Sequence, residues 1–284
     1  MKKIGILLQA VILALLVSIQ LAVQTASAQN ITTCNNFGHF DLLVDVDPPA
    51  AGGGSFIVDS TGDFPVEYRT GNRIVPADLG DFPGGIHKTD DPGWLVAAGD
   101  MLDGELLWFR ARGTLRYWDK SLQQWLNTLP NGERVRYFGA TPPDVVINGT
   151  PEEKAFYAEG TIWTSDGLSG PSEAPIEAFQ GGIHAHLDFC LEAEDGDCTQ
   201  PASSATGSPS TGAYLIEFQL HSREVVANSG QLKYIDSAPI KVILNNGLVA
   251  GECSAAIGAL VLPETVVDDS PPLPAAGILI MTGP

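Results

Sequence analysis

The sequence predicts an all-β protein, an antiparallel β-sandwich of jelly-roll-like character. Three observations carry that expectation. Thirty-one Gly and 20 Pro punctuate the whole chain, and both residues interrupt regular elements. Between them lie short runs in which apolar and polar residues alternate, the period of a strand with one buried face. Turn signals of the Asn-Gly type, at Asn131-Gly132, Asn148-Gly149 and Asn246-Gly247, separate several of these runs.

Taken in order, Asp41 to Val46 is the first expected strand. Gly104 to Arg112, Leu115 to Trp118, Ala155 to Trp163, His184 to Leu191, Ala213 to His221 and Ile240 to Leu244 follow. Residues 119–126 are expected to form one or two helical turns, and no long stretch carries a clean helical period. Residues 201–211, rich in Ser, Pro and Gly, read as a flexible loop between two strands. A softer boundary within the β region, which spans 29–262, is placed at 139–151. Gly84-Gly85-Ile86-His87 recurs as Gly181-Gly182-Ile183-His184, each copy preceded by an aromatic, Phe82 or Phe179. Two related β units would explain that echo.

The first 28 residues read as a secretory signal peptide. Lys2 and Lys3 precede an apolar stretch from Ile4 to Val23, and Ala26-Ser27-Ala28 supplies the small side chains that signal peptidase accepts. The stretch is also long enough for a retained anchor, but the cleavage site directly after it favours removal. The expected mature chain has 256 residues, and its 13 Lys+Arg face 34 Asp+Glu, a formal charge of −21. Such a field repels nucleic acid and anionic lipid and attracts cations. It also suits a surface adapted to salty or calcium-rich surroundings.

Export places the four cysteines in an oxidising compartment, where an even count implies disulfides. Cys190 and Cys198 flank a short polar loop and are expected to pair. Cys34 with Cys253 would then tie the two ends of the folded region together. No Cys-x-x-Cys pair is present, which argues against a cysteine zinc site.

The chain has five histidines, His39, His87, His184, His186 and His221. On a strand, residues two apart share a face, so His184, His186 and Asp188 form an expected row of three metal ligands. Neutral imidazole suits zinc, copper or nickel. His39 with Asp41 repeats the same spacing, and His87, followed by Asp90 and Asp91, would complete a shell or belong to a second site. His221 reads as a plain surface residue. The loop Glu192 to Asp197 has the oxygen density for calcium without EF-hand spacing. Trp118 and Trp125 flank a polar stretch and are the candidate sugar-stacking pair, whereas Trp108 and Trp163 lie in apolar runs and read as core. No Gly-x-Ser-x-Gly elbow is present. With so many acids in the chain, paired carboxylates carry no information about glycoside hydrolysis.

Several short motifs together resemble a known group. They are Gly38-His39-Phe40-Asp41, His184-Ala185-His186-Leu187-Asp188-Phe189, Gly212-Ala213-Tyr214-Leu215, and Ser237-Ala238-Pro239-Ile240 through Asn245-Asn246-Gly247-Leu248. The tail Pro272-Leu273-Pro274-Ala275-Ala276-Gly277 is similar to the Val-Pro-Leu-Pro-Ala variant of a sorting signal. In combination they resemble exported bacterial PEP-CTERM proteins, in particular a subset repressed by a zinc-uptake regulator. The group's tail continues into a transmembrane helix and a basic end. The sequence stops at Pro284 before either, so a truncated or released tail is expected at 263–284. The resemblance implies an exported β-sandwich protein connected to metal, and no established activity.

Three functional expectations follow. The first is a non-enzymatic protein of the cell envelope or extracellular space that binds a divalent metal, zinc or copper, through its histidines. The second is a metal-dependent hydrolase built on the same histidines. The third is a carbohydrate-binding module that meets a surface or matrix polysaccharide. No nucleic-acid partner and no membrane span in the mature chain are expected.

Overall fold

The computed structural model describes residues 40–47, 54–58, 73–80, 87–139, 149–198 and 207–261. The leader, the tail, Cys34 and His39 lie outside them. So do residues 140–148 and 199–206, which carry most of the expected boundary and half of the expected Ser-Pro-Gly loop.

The strands in chain order are β1 (Asp41–Asp47), β2 (Ser55–Val58), β3 (Arg73–Asp78), β4 (Lys88–Thr89), β5 (Gly93–Val96), β6 (Leu106–Asp119), β7 (Gln124–Leu126) and β8 (Arg134–Phe138). After the helix α1 (Pro151–Glu159) come β9 (Thr161–Thr164), β10 (Gly167–Ser169), β11 (Glu173–Ala178), β12 (Ile183–Ala185), β13 (Asp188–Glu192), β14 (Gly212–His221) and β15 (Ile240–Asn246). The helix α2 (Ala250–Val261) follows. The fold is all-β and sandwich-like, as the alternation predicts. Its strands form three sheets, ordered β12-β5-β1-β2, β10-β9-β8-β13-β4 and β11-β6-β14-β15-β3, with β7 paired to β6. Pairing is antiparallel except for β1 with β5 and β15 with β3, which are parallel.

One buried cluster runs from Phe40 to Ile257 and takes side chains from all three sheets. Its hub is aromatic. Trp94 of β5 donates its Nε1–H to the Tyr137 hydroxyl of β8 at 3.0 Å and meets Phe218 of β14 edge-on at 5.4 Å. Tyr137 stacks on Phe189 of β13 at 4.3 Å and meets Phe109 of β6 edge-on at 4.9 Å. Such pairs add about 0.5–1.5 kcal/mol each beyond the area they bury. Trp94 thereby fixes β5, the strand under the candidate site, against the other two sheets.

Four local expectations are corrected. Residues Ala155 to Glu159 are helical, because Thr150-Pro151-Glu152-Glu153 is a start signal. The Thr150 hydroxyl accepts from the Glu153 N–H at 3.2 Å, and the Glu153 carboxylate accepts from the Thr150 N–H at 2.6 Å. Gly160, at φ 75°, ends the helix and only then does β9 begin. Residues 119–126 turn and return as β7 against β6 instead of forming a helix. Ala250–Val261 is helical and buries Cys253, Ala256 and Ile257, a stripe at i, i+3 and i+4. The run from His184 to Leu191 is two strands. β12 pairs with β5 in one sheet, β13 pairs with β8 and β4 in another, and the chain crosses between sheets at His186 and Leu187.

Candidate metal centre

The site is built on three neighbouring strands. Asp41 opens β1, His184 lies in β12, and His186 follows β12 in the crossover to β13. β5 runs between β1 and β12. The His184 Nε2 is 3.2 Å from the His186 Nε2 and 3.2 Å from the Asp41 Oδ2. The His186 Nε2 is 2.9 Å from the Asp41 Oδ1. An ion with bonds of about 2.1 Å separates its ligand atoms by about 3.0 Å in octahedral geometry and about 3.4 Å in tetrahedral geometry. The separation of the two imidazole nitrogens falls in that range, and each nitrogen has one oxygen of the Asp41 carboxylate, His184 the Oδ2 and His186 the Oδ1, at a similar distance. Among the described residues, this is the one group of three such side chains whose ligand atoms all lie within 4.8 Å of each other.

The hydrogens decide what the three atoms can do for one another. The His186 Nδ1 donates to the Asp90 carbonyl at 3.0 Å. A carbonyl only accepts, so the proton of neutral His186 sits on Nδ1 and its Nε2 presents a lone pair. A carboxylate brings no proton either. The Asp41 Oδ1 is buried and makes no hydrogen bond of good geometry despite the short approach of His186. With both imidazoles neutral, the one hydrogen these three contacts can share is the one His184 carries on its Nε2. Acceptors gathered around a common point are what a cation requires, and an imidazole held by a backbone carbonyl through its far nitrogen is the usual support of a metal ligand.

The surroundings reinforce this arrangement. The Asp91 carboxylate accepts from the Phe40 N–H at 2.9 Å, and the Phe40 carbonyl accepts from the Gly93 N–H at 3.0 Å. The segment Asp90–Pro92 thus holds both His186 and the start of β1. Asp41 and His186 side chains are 12% and 18% exposed while His184 is 60% exposed, so the site opens to solvent along His184. Burial raises the Glu177 carboxyl above its ordinary value, opposed by the charge of His184.

The other expected ligands are placed elsewhere. Asp188 begins β13 opposite Phe138, because the sheet change at 186–187 breaks the strand parity that would have carried it to the face of His184. Burial first and Asp90 second push its carboxyl up, with Lys88 and His186 opposing. His87 turns to the end of β15, where its Nδ1 lies 2.9 Å from the Asn246 Oδ1. Gly84, Gly85 and Ile86 of its copy of the Gly-Gly-Ile-His echo lie outside the described residues, while the second copy leads into β12.

His221 is buried, not on the surface. Its Nε2 lies 3.2 Å from the Glu173 Oε2, and Glu173 is also bonded by Arg110 and Arg223. Burial, then the charge of Arg110, lower its pKa below 6.5.

Two more expectations change. Trp118 is buried and packs on Trp125 at 5.5 Å between ring centres, and the Trp125 Nε1–H is donated to the Ala256 carbonyl of α2 at 3.1 Å. Their work is to dock α2, and Trp118 offers no open face to a sugar. Trp108 and Trp163 are core, as expected. The Glu192 carboxylate, first acid of the proposed calcium loop, is taken by Arg134 and by Arg136 at 2.8 Å, and accepts from the Cys198 N–H at 2.7 Å.

Cys190 and Cys198 form the expected disulfide. Cys253 is also disulfide-bonded, and Cys34 lies outside the described residues. No helix among the described residues is long and apolar enough to cross a membrane. No family model matches the chain, and no curated protein matches it.

Proposed function

We propose that the protein is an exported protein of the cell envelope or extracellular space that binds a divalent transition-metal ion, zinc before copper, through Asp41, His184 and His186. The observation that supports this reading best is convergence: two imidazole nitrogens and a carboxylate oxygen lie within 4.8 Å of one another, and the His186 Nδ1 proton is already given to the Asp90 carbonyl. Two nitrogens and one oxygen are the donor set of a borderline ion such as zinc. The formal charge of −19 raises the local cation concentration. Export is favoured by the leader and by the Cys190–Cys198 disulfide, a bond that persists in oxidising compartments. The PEP-CTERM-like tail agrees with a destination at the envelope.

Titration of metal-stripped protein with zinc tests the reading. We expect one ion per chain, and a rise in Tm of about 5–10 °C when free zinc is a hundredfold above Kd. His184→Ala and His186→Ala together abolish both. Zinc binding undiminished in that double variant removes the assignment. The exposure of His184 favours a second reading, a metal-dependent hydrolase, since an ion reached by solvent can activate water. Turnover of activated esters or phosphoesters that depends on zinc and on His184 would select it.

A further inference from the structure

The geometry points to Gly93 as the positioning residue of this site: the glycine whose missing side chain lets Asp41 and His186 meet above β5. The inference rests on the metal reading for its functional meaning, though not for its steric content.

The register places the three residues in one row. Asp41 of β1 pairs with Gly93 of β5. On the other side of β5, Ala185 pairs with Trp94 and His184 with Leu95. One step past the end of β12, the same register extended brings His186 level with Gly93. Residues in one cross-strand row project from the same face, and neighbouring strands lie about 4.8 Å apart. Asp41 and His186 therefore start roughly 10 Å apart, with β5 between them. Their side chains can touch only by leaning over the middle residue.

Gly93 leaves that space open. A Cβ built on it would fall on the His186 Cε1 and Nε2 and on the Asp41 Oδ1, all well inside 3.0 Å. Those three atoms are its nearest neighbours, and all belong to the two candidate ligands. Nothing else asks for glycine. Its φ is outside the left-handed region, and it lies buried in a strand beside Trp94, where glycine costs backbone entropy and gives no packing. An alanine would suit the backbone of β5. It would not suit the site.

The experiment is a double-mutant cycle on the full mature chain with zinc titration of each member. Gly93→Ala is expected to weaken zinc binding at least about tenfold with all three ligands still present. It is also expected to lower the Tm of the metal-free protein. Gly93→Ala combined with His186→Ala should cost less stability than the sum of the two alone, because the ring struck by the new methyl is gone. If Gly93→Ala does not fold, the double variant is expected to fold, and its failure overturns the inference. Additive costs, or zinc binding by Gly93→Ala equal to wild type, also overturn it. Non-additive costs in a chain whose wild type binds no zinc would sink the metal reading and leave the steric role of Gly93 standing.

Discussion

Two buried carboxylates in this protein are surrounded by nitrogens, and they differ in their hydrogens. Glu192 of β13 faces two guanidinium groups and a backbone N–H, so every approach brings a proton and two of the three bring a positive charge. Asp41 of β1 faces the Nε2 atoms of two imidazoles, and the His186 ring directs its Nδ1–H at the Asp90 carbonyl. The first cluster is complete within the protein and locks the disulfide loop to β8. The second is short of hydrogens and can be completed by a cation. Proximity of acids and bases does not by itself make a metal site; the count of donors against acceptors is what sets these two clusters apart.

The strongest way to break this contrast is Glu192→Gln. It leaves Arg134 and Arg136 without their counter-charge, and removing one partner of a buried pair costs about 3–5 kcal/mol. Urea denaturation is expected to show that loss, and zinc is not expected to restore it. A cost below about 1 kcal/mol would mean that Glu192 is not the completed cluster described here.

Asp41→Asn should do the reverse. It removes a ligand charge, so zinc binding falls to background in calorimetry. The amide can donate to the His186 Nε2 where the carboxylate cannot, so the metal-free chain is expected to gain about 0.5–1.5 kcal/mol. Destabilisation of the metal-free chain on the scale of Glu192→Gln would show that Asp41 was already satisfied.

The smallest effect sharpens the contrast at His221, an imidazole beside a carboxylate that Arg110 and Arg223 already complete. Its folded pKa is lowered, with burial as the leading cause. The unfolded chain therefore binds more protons as pH falls below about 6.5, and folding stability declines through that window. His221→Gln should flatten the acid side of the stability profile of metal-free protein. An unchanged slope would reject the assignment.

Much of the architecture was legible in the sequence because alternation reports a half-buried strand directly. β1, β14 and β15 lie almost where the pattern put them. The helix α1 is equally legible, since Thr150-Pro151-Glu152-Glu153 carries its cap, but the run after it has the aromatic and apolar composition of a strand. The helix α2 hides for another reason, since small residues such as Ala256 and Gly258 blur its stripe against a uniformly apolar background. At the site, the His184-x-His186 spacing is informative because both residues lie on the same side of β5, in and just after β12. Asp188 misled because periodicity assumes that the strand continues, and here the chain changes sheets. Gly93 could not have been found, because its role depends on the register between strands distant in sequence.

That glycine gives the site a particular genetic exposure. Every glycine codon becomes an alanine codon by one base change, so a single mutation could silence the centre while Asp41, His184 and His186 all stand unchanged. A survey of natural variants that scored only the ligands would count such a chain as competent. The residue to read beside them is the one that contributes no candidate ligand atom.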